Sequence, residues 1–162
     1  MNRIIYIPFD QLNFEYGAMK IAKRETDHIV LVESQRMRTG RAWHKQRLQF
    51  LISSARHFAQ ELELAAWTVT YLKAETTSDG LQEIRTRLQI QEIVCATPSS
   101  FGLKQQLETI GVTFIENDFF LTSQNLFELW ADKQSSFTME NFYRAQRKRL
   151  AILMDGDKPV GG

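Results

Sequence analysis

Hydrophobic positions fall into five short runs rich in β-branched residues: Arg3–Pro8 (RIIYIP), His28–Glu33 (HIVLVE), Trp67–Leu72 (WTVTYL), Glu92–Thr97 (EIVCAT) and Val112–Glu116 (VTFIE). Several are unbroken apolar stretches rather than strict alternations. Strands covered on both faces look like this, and parallel sheets are covered on both faces. Trp67–Leu72 alternates more, as a strand nearer a sheet edge does.

Helical spacing separates most of these runs. Leu48, Leu51, Ile52, Ala55, Phe58, Ala59 and Leu62 recur at three- and four-residue intervals and predict one long amphipathic helix over about Ala42–Leu64. Leu81, Ile84 and Leu88 predict a second helix after the turn residues Thr76–Gly80. Leu103, Leu107 and Ile110 predict a third, capped by Ser99 or Ser100 and closed by Gly111. Leu126, Leu129 and Trp130 give a fourth, capped by Thr122 or Ser123. Thr138 caps a fifth that runs to about Leu153. The first crossover, residues 9–27, is poorly patterned and reads as a short helix or an irregular loop.

Strands alternating with helices imply right-handed crossovers and a parallel sheet. The expectation is an α/β fold: a Rossmann-like, doubly wound sheet of five parallel strands in the order 3-2-1-4-5. Residues 1–153 read as one domain, and the turn-rich segment Met154–Gly162 reads as a linker or a frayed tail.

Composition fits that reading: 43% hydrophobic and 24% charged, an ordinary globular mix. The net charge of +1 gives no whole-molecule argument for nucleic acid. The single cysteine, Cys95, lies in an apolar run and reads as a buried structural thiol. Without a secretory signal or a long apolar segment, the expected location is cytoplasmic, away from membranes.

Chemistry is sparse. After the first strand comes Pro8-Phe9-Asp10-Gln11-Leu12, with no glycine for a pyrophosphate turn. His28, His44 and His57 lack partners at metal-ligand spacing, so no metal site is expected. Position is the remaining guide, because open parallel sheets hold ligands beyond the carboxyl ends of their strands. Asp10, Gln11, Glu33, His44, Lys45, Leu48 and Leu51 are the candidate binding residues there. They would line an apolar slot for a flat polar heterocycle, or else serve as loop caps and solvated side chains. Arg144, Arg147, Lys148 and Arg149 form either a phosphate-contacting patch or a solvated helix face.

Specific motifs go further. They are Asp10-Gln11-Leu12; His44-Lys45…Phe50…Ser53-Ser54-Ala55-Arg56-His57-Phe58-Ala59-Gln60-Glu61-Leu62; Phe120-Leu121-Thr122-Ser123…Phe127…Trp130-Ala131; and Met139-Glu140-Asn141-Phe142-Tyr143-Arg144…Leu153-Met154-Asp155-Gly156-Asp157-Lys158-Pro159-Val160-Gly161-Gly162. Together they resemble the deoxyribodipyrimidine photolyase-related family, which includes bacterial (6-4) photolyases and iron–sulfur cryptochromes.

The resemblance implies an N-terminal antenna and scaffold domain of a longer protein. In that protein a helical domain would follow, carrying FAD and a four-iron cluster, and the whole would act as a lyase on DNA photolesions or as a light sensor. DNA would be met only through the full-length protein, and this chain alone would not be catalytic. The resemblance also implies a ribityl-lumazine antenna held by Asp10, Gln11, Glu33, His44, Lys45, Leu48 and Leu51. Three departures stand out: Phe9 replaces a usual glycine and crowds the slot, Met37 replaces an acidic acceptor, and Thr97–Gly102 differs from the usual segment. Phe9 and Met37 favour the alternative, a ligand-free structural or interaction domain. Either way, an apolar docking face for the helical domain is expected, with self-association when that face is bare.

Overall fold

The computed structural model describes residues 3–40 and 42–161. The chain divides into two compact units, Met1–Phe119 and Phe120–Gly162.

The first unit is built on five parallel strands: β1 (Arg3–Tyr6), β2 (Asp27–Ser34), β3 (Val69–Ala74), β4 (Glu92–Ala96) and β5 (Thr113–Ile115). Their order is β3-β2-β1-β4-β5, the doubly wound order that the strand–helix alternation implied. Ile5 in the central strand lies opposite Ile29 on one side and Val94 on the other. Trp67–Leu72 alternates more than the other runs, and its strand, β3, lies at the sheet edge. An edge strand buries less, so it tolerates more polar residues.

Alternate residues feed two apolar layers. Ile4, Tyr6, Val30, Val32, Ile93 and Cys95 pack with Leu81, Ile84 and Leu107 from helices α3 (Thr77–Leu88) and α4 (Phe101–Glu108), which lie on one face. On the other face Ile5, Ile7, Ile29, Leu31 and Val94 meet Ala55, Phe58, Ala59 and Leu62 of helix α2 (Lys45–Leu64). A short helix α1 (Gln35–Thr39) precedes α2. Burial on both faces is the physical reason the strands read as continuous apolar runs.

The weakly patterned first crossover contains a 3-10 turn, Gly17–Ile21, which buries Gly17, Ala18 and Met19. Gly17 has φ +62°, and a Cβ there would stand 2.8 Å from the Phe119 ring. Its N–H donates to Asp118 at 2.6 Å, a tie across 101 positions that no local pattern encodes.

Helix starts follow side-chain caps. Ser100 caps α4 and Thr76 forms a capping box with Asp79 at the start of α3. The long helix begins at Lys45 rather than Ala42, with His44 as its N-cap residue.

The second unit holds α5 (Gln124–Ala131), capped by Ser123, and α6 (Met139–Leu150), capped by Thr138. A two-strand hairpin follows, β6 (Met154–Asp155) with β7 (Lys158–Pro159). The two helices join through rings: Trp130 meets Phe142 edge-on at 5.0 Å, and Phe127 meets Phe142 at 5.4 Å. Neither helix has a fully buried residue. Helix α6 stops three residues short of the expected Leu153, because Ala151 and Leu153 take left-handed φ of 54° and 55°. Arg147 donates to the carbonyls of Ile152 and Leu153 and so holds that reversal. The boundary expected after residue 153 falls inside this second unit.

Candidate functional site

The exit edge of the sheet is where parallel strands leave room for a ligand. Strand order reverses between β1 and β4, and Gln11 spans that point. A turn closed by Gln11 N donating to Pro8 O at 2.9 Å carries it there. The Gln11 side chain is 3% exposed. Its Nε2 donates to the carbonyls of Ala96 at 3.5 Å and Thr97 at 3.3 Å, both long bonds. Those acceptors fix which end of the amide is nitrogen. The other end, Oε1, is buried and has no donor among the described residues. A buried acceptor without a donor is costly, and native proteins hold few of them.

At the end of β2 stands Glu33, 2% exposed. Three donors converge on its Oε2: Arg56 Nη2 at 2.7 Å, Arg56 Nε at 3.2 Å and the Tyr71 hydroxyl at 2.7 Å. Burial opposes ionisation of Glu33, but the bonds from Arg56 and Tyr71 outweigh it and hold the carboxyl below its ordinary range. Burial and the bond to Glu33 together push the Tyr71 phenol up to about 12, so the hydroxyl stays a donor at neutral pH. Arg56 belongs to α2 and Tyr71 to β3, so the pair ties helix and sheet together at this edge.

Phe9 lies on the same side. Its ring stacks on that of Tyr71, with centroids 6.1 Å apart and planes 21° from parallel. Partly buried, it packs against the α2-side apolar layer.

The remaining candidates are more open. Asp10, His44 and Lys45 are exposed; Leu48 and Leu51 are half-buried. The His44 side chain makes no capping bond. No hydrogen bond among the described residues joins His44 or Lys45 to Gln11 or Glu33. Met37 sits on α1, where its N–H donates to Ser34 Oγ and its carbonyl accepts from Trp43 Nε1 at 2.8 Å. The Arg47 guanidinium lies 4.9 Å from the centre of the Trp43 ring.

Sequence reading missed Arg56, Tyr71 and Trp43 as parts of this edge. The signal for Arg56 was available: a carboxylate ending an apolar strand needs a cation or several donors when buried. The partner's position, 23 residues away on another element, was not.

Elsewhere chemistry is muted. Cys95 is fully buried and burial pushes its thiol pKa up, which leaves it inert at neutral pH. Among the described residues no group of three or more His, Cys, Asp or Glu side chains could hold a metal ion. No helix there is long and apolar enough to cross a membrane. The basic cluster is largely engaged within the second unit. Arg144 pairs with Glu140, Arg147 holds the carbonyls after α6, and Arg149 donates to Gln146, Thr122 and the Leu121 carbonyl.

Five parallel strands in the order β3-β2-β1-β4-β5, flanked by helices, define a doubly wound, Rossmann-like α/β domain. The family model for deoxyribodipyrimidine photo-lyase-related protein matches residues 5–162, and the chain belongs to that family. It is 30% identical over 174 aligned positions to a (6-4) photolyase of Agrobacterium fabrum (strain C58 / ATCC 33970), covering 100% of this chain and 34% of that protein. The chain thus spans about a third of the length of that relative.

Proposed function

We propose that this chain is the antenna and scaffold portion of a photolyase-related protein. In full-length form that protein would use FAD, and a four-iron cluster, in light-driven repair of DNA photolesions. Neither group belongs to the residues described above. The sheet edge would hold a ribityl-lumazine, which supplies light absorption and passes excitation energy to the flavin.

One observation carries this reading: the buried Oε1 of Gln11, without a donor, at the point where strand order reverses. An imide N–H of a flat heterocycle is the donor such an acceptor lacks. Glu33, fixed by Arg56 and Tyr71, adds a rigid polar wall. Leu48 and Leu51 add apolar surface, while Asp10, His44 and Lys45 offer exposed groups to the ribityl hydroxyls. Nothing in this chain needs to make or break a bond.

The test is a titration of the chain with 6,7-dimethyl-8-ribityllumazine, read by absorption and fluorescence. A saturable spectral shift supports the antenna role. An unchanged spectrum at high micromolar ligand refutes it.

A second reading is favoured by the Phe9–Tyr71 stack. In it the edge is sealed and the domain serves only as a structural or docking module, in a repair enzyme or a cryptochrome-type receptor. The same titration then gives no shift.

A further inference from the structure

Around Tyr71 the structure is unequally secured. The Tyr71 ring is held at its hydroxyl, which donates to Glu33, and Arg56 clamps Glu33 in turn. Such a ring is tethered at its hydroxyl end before anything lands on it. The Phe9 ring stacked beside it, with centroids 6.1 Å apart, is held by apolar packing without a polar anchor. Phe9 has no polar group on its side chain, and it sits in the Pro8–Gln11 turn closed by the Gln11 N–Pro8 O bond. The same turn carries the unmet Gln11 Oε1, so its closed form is not fully satisfied.

We propose that Phe9 is a displaceable cover on Tyr71. Its ring occupies a seat shaped for a flat aromatic heterocycle, and ligand entry requires Phe9 to leave the stack. This rests on the antenna reading and adds to it: Phe9 sets the affinity and regulates access. A flat ring replaces a flat ring, so the stacking lost with Phe9 is regained with the ligand. Apparent affinity falls by the fraction of molecules in which the seat is open. Smaller or non-planar side chains at position 9 raise that fraction.

Three proteins test this: the wild-type chain, Phe9→Ala, and Phe9→Leu. Phe9→Leu keeps apolar volume but cannot stack, and it guards against loss of the fold in the alanine variant. Circular dichroism establishes that each is folded, and 6,7-dimethyl-8-ribityllumazine is titrated by fluorescence. The proposal expects both variants to bind more tightly than wild type, by about tenfold for Phe9→Ala. The same order should appear in the ligand-induced rise in melting temperature. Equal affinity in all three overturns the cover and leaves the antenna reading standing. Absence of binding in all three overturns the antenna reading, and the cover falls with it. Weaker binding in both variants overturns the cover by making Phe9 part of the binding surface.

Discussion

The Tyr71 hydroxyl and the Arg56 guanidinium meet on a single oxygen of Glu33, each at 2.7 Å. Three elements, β2, α2 and β3, are joined by that one atom. Glu33→Gln removes the charge that makes these bonds strong, and a charge-assisted bond contributes roughly 1.5–3 kcal/mol. Arg56 is 49% exposed at its side chain, so solvent screens its share. The expected loss for Glu33→Gln is therefore about 1–2 kcal/mol in urea unfolding, and Tyr71→Phe should lose about 1 kcal/mol. No change in midpoint for either variant would contradict the assignment.

Stability should fall on acidification. Against the cost of burial, Asp27 is held below its ordinary range by Arg3 and the Lys23 N–H, and Glu33 by Arg56 and Tyr71. The folded state favours their charged forms. Their contribution is full above the ordinary values of 3.8 and 4.5 and is lost as pH drops through the depressed ones. Burial, with Arg87 adding, lowers His28 below 6.5, so the folded state favours the neutral ring. That contribution is present above the ordinary value and is lost as pH falls. Urea midpoints should decline below about pH 6 and steepen towards pH 4. Glu33→Gln should flatten the acid limb.

Two glycines separate packing from conformation. A Cβ at Gly80 would meet Val32 Cγ1 at 2.8 Å and the Ala74 Cβ at 3.1 Å. Helix α3 approaches the sheet that closely only because Gly80 is bare. Gly80→Ala should cost about 1–3 kcal/mol through overpacking. At Gly102 in α4 an added Cβ meets nothing within 4 Å. Gly102→Ala should stabilise by about 0.4–1 kcal/mol, by narrowing the unfolded ensemble. Thermal melts of the pair give opposite signs if the packing is as described.

The second unit has too little apolar burial to stand bare comfortably. Phe137 is 69% exposed, Met139 80% and Leu153 61%. Exposed rings and aliphatic side chains at this density favour association. The chain should elute from gel filtration above its 18.9 kDa mass, and Met139→Ser should move it back towards a monomer. A monomer at all concentrations would argue against a docking face here.

What the sequence revealed follows from what is local. Strands such as His28–Glu33 were legible because burial on both faces leaves a continuous apolar run. The cap at Thr138 was legible, and those at Ser100 and Ser123 to within one residue (Ser99 or Ser100, Thr122 or Ser123), because a hydroxyl reaches only three residues ahead. The crossover at residues 9–27 was not, since its 3-10 turn is held by Asp118 rather than by its own periodicity. The edge was half legible for the same reason. Strand ends placed Gln11 and Glu33 there by topology, but Glu33 finds its donors 23 and 38 positions away. Nothing in a one-dimensional pattern sets Phe9 on Tyr71.

Under the proposed antenna role, this domain would gather light for a flavin of the full-length protein. The most direct test of that role is an action spectrum of flavin photoreduction in the full-length protein, recorded with and without bound 6,7-dimethyl-8-ribityllumazine. An antenna at this edge gives a new band that follows lumazine absorption and weakens in proportion to a Gln11→Leu loss of binding. Identical spectra, with lumazine shown to be bound, would contradict it.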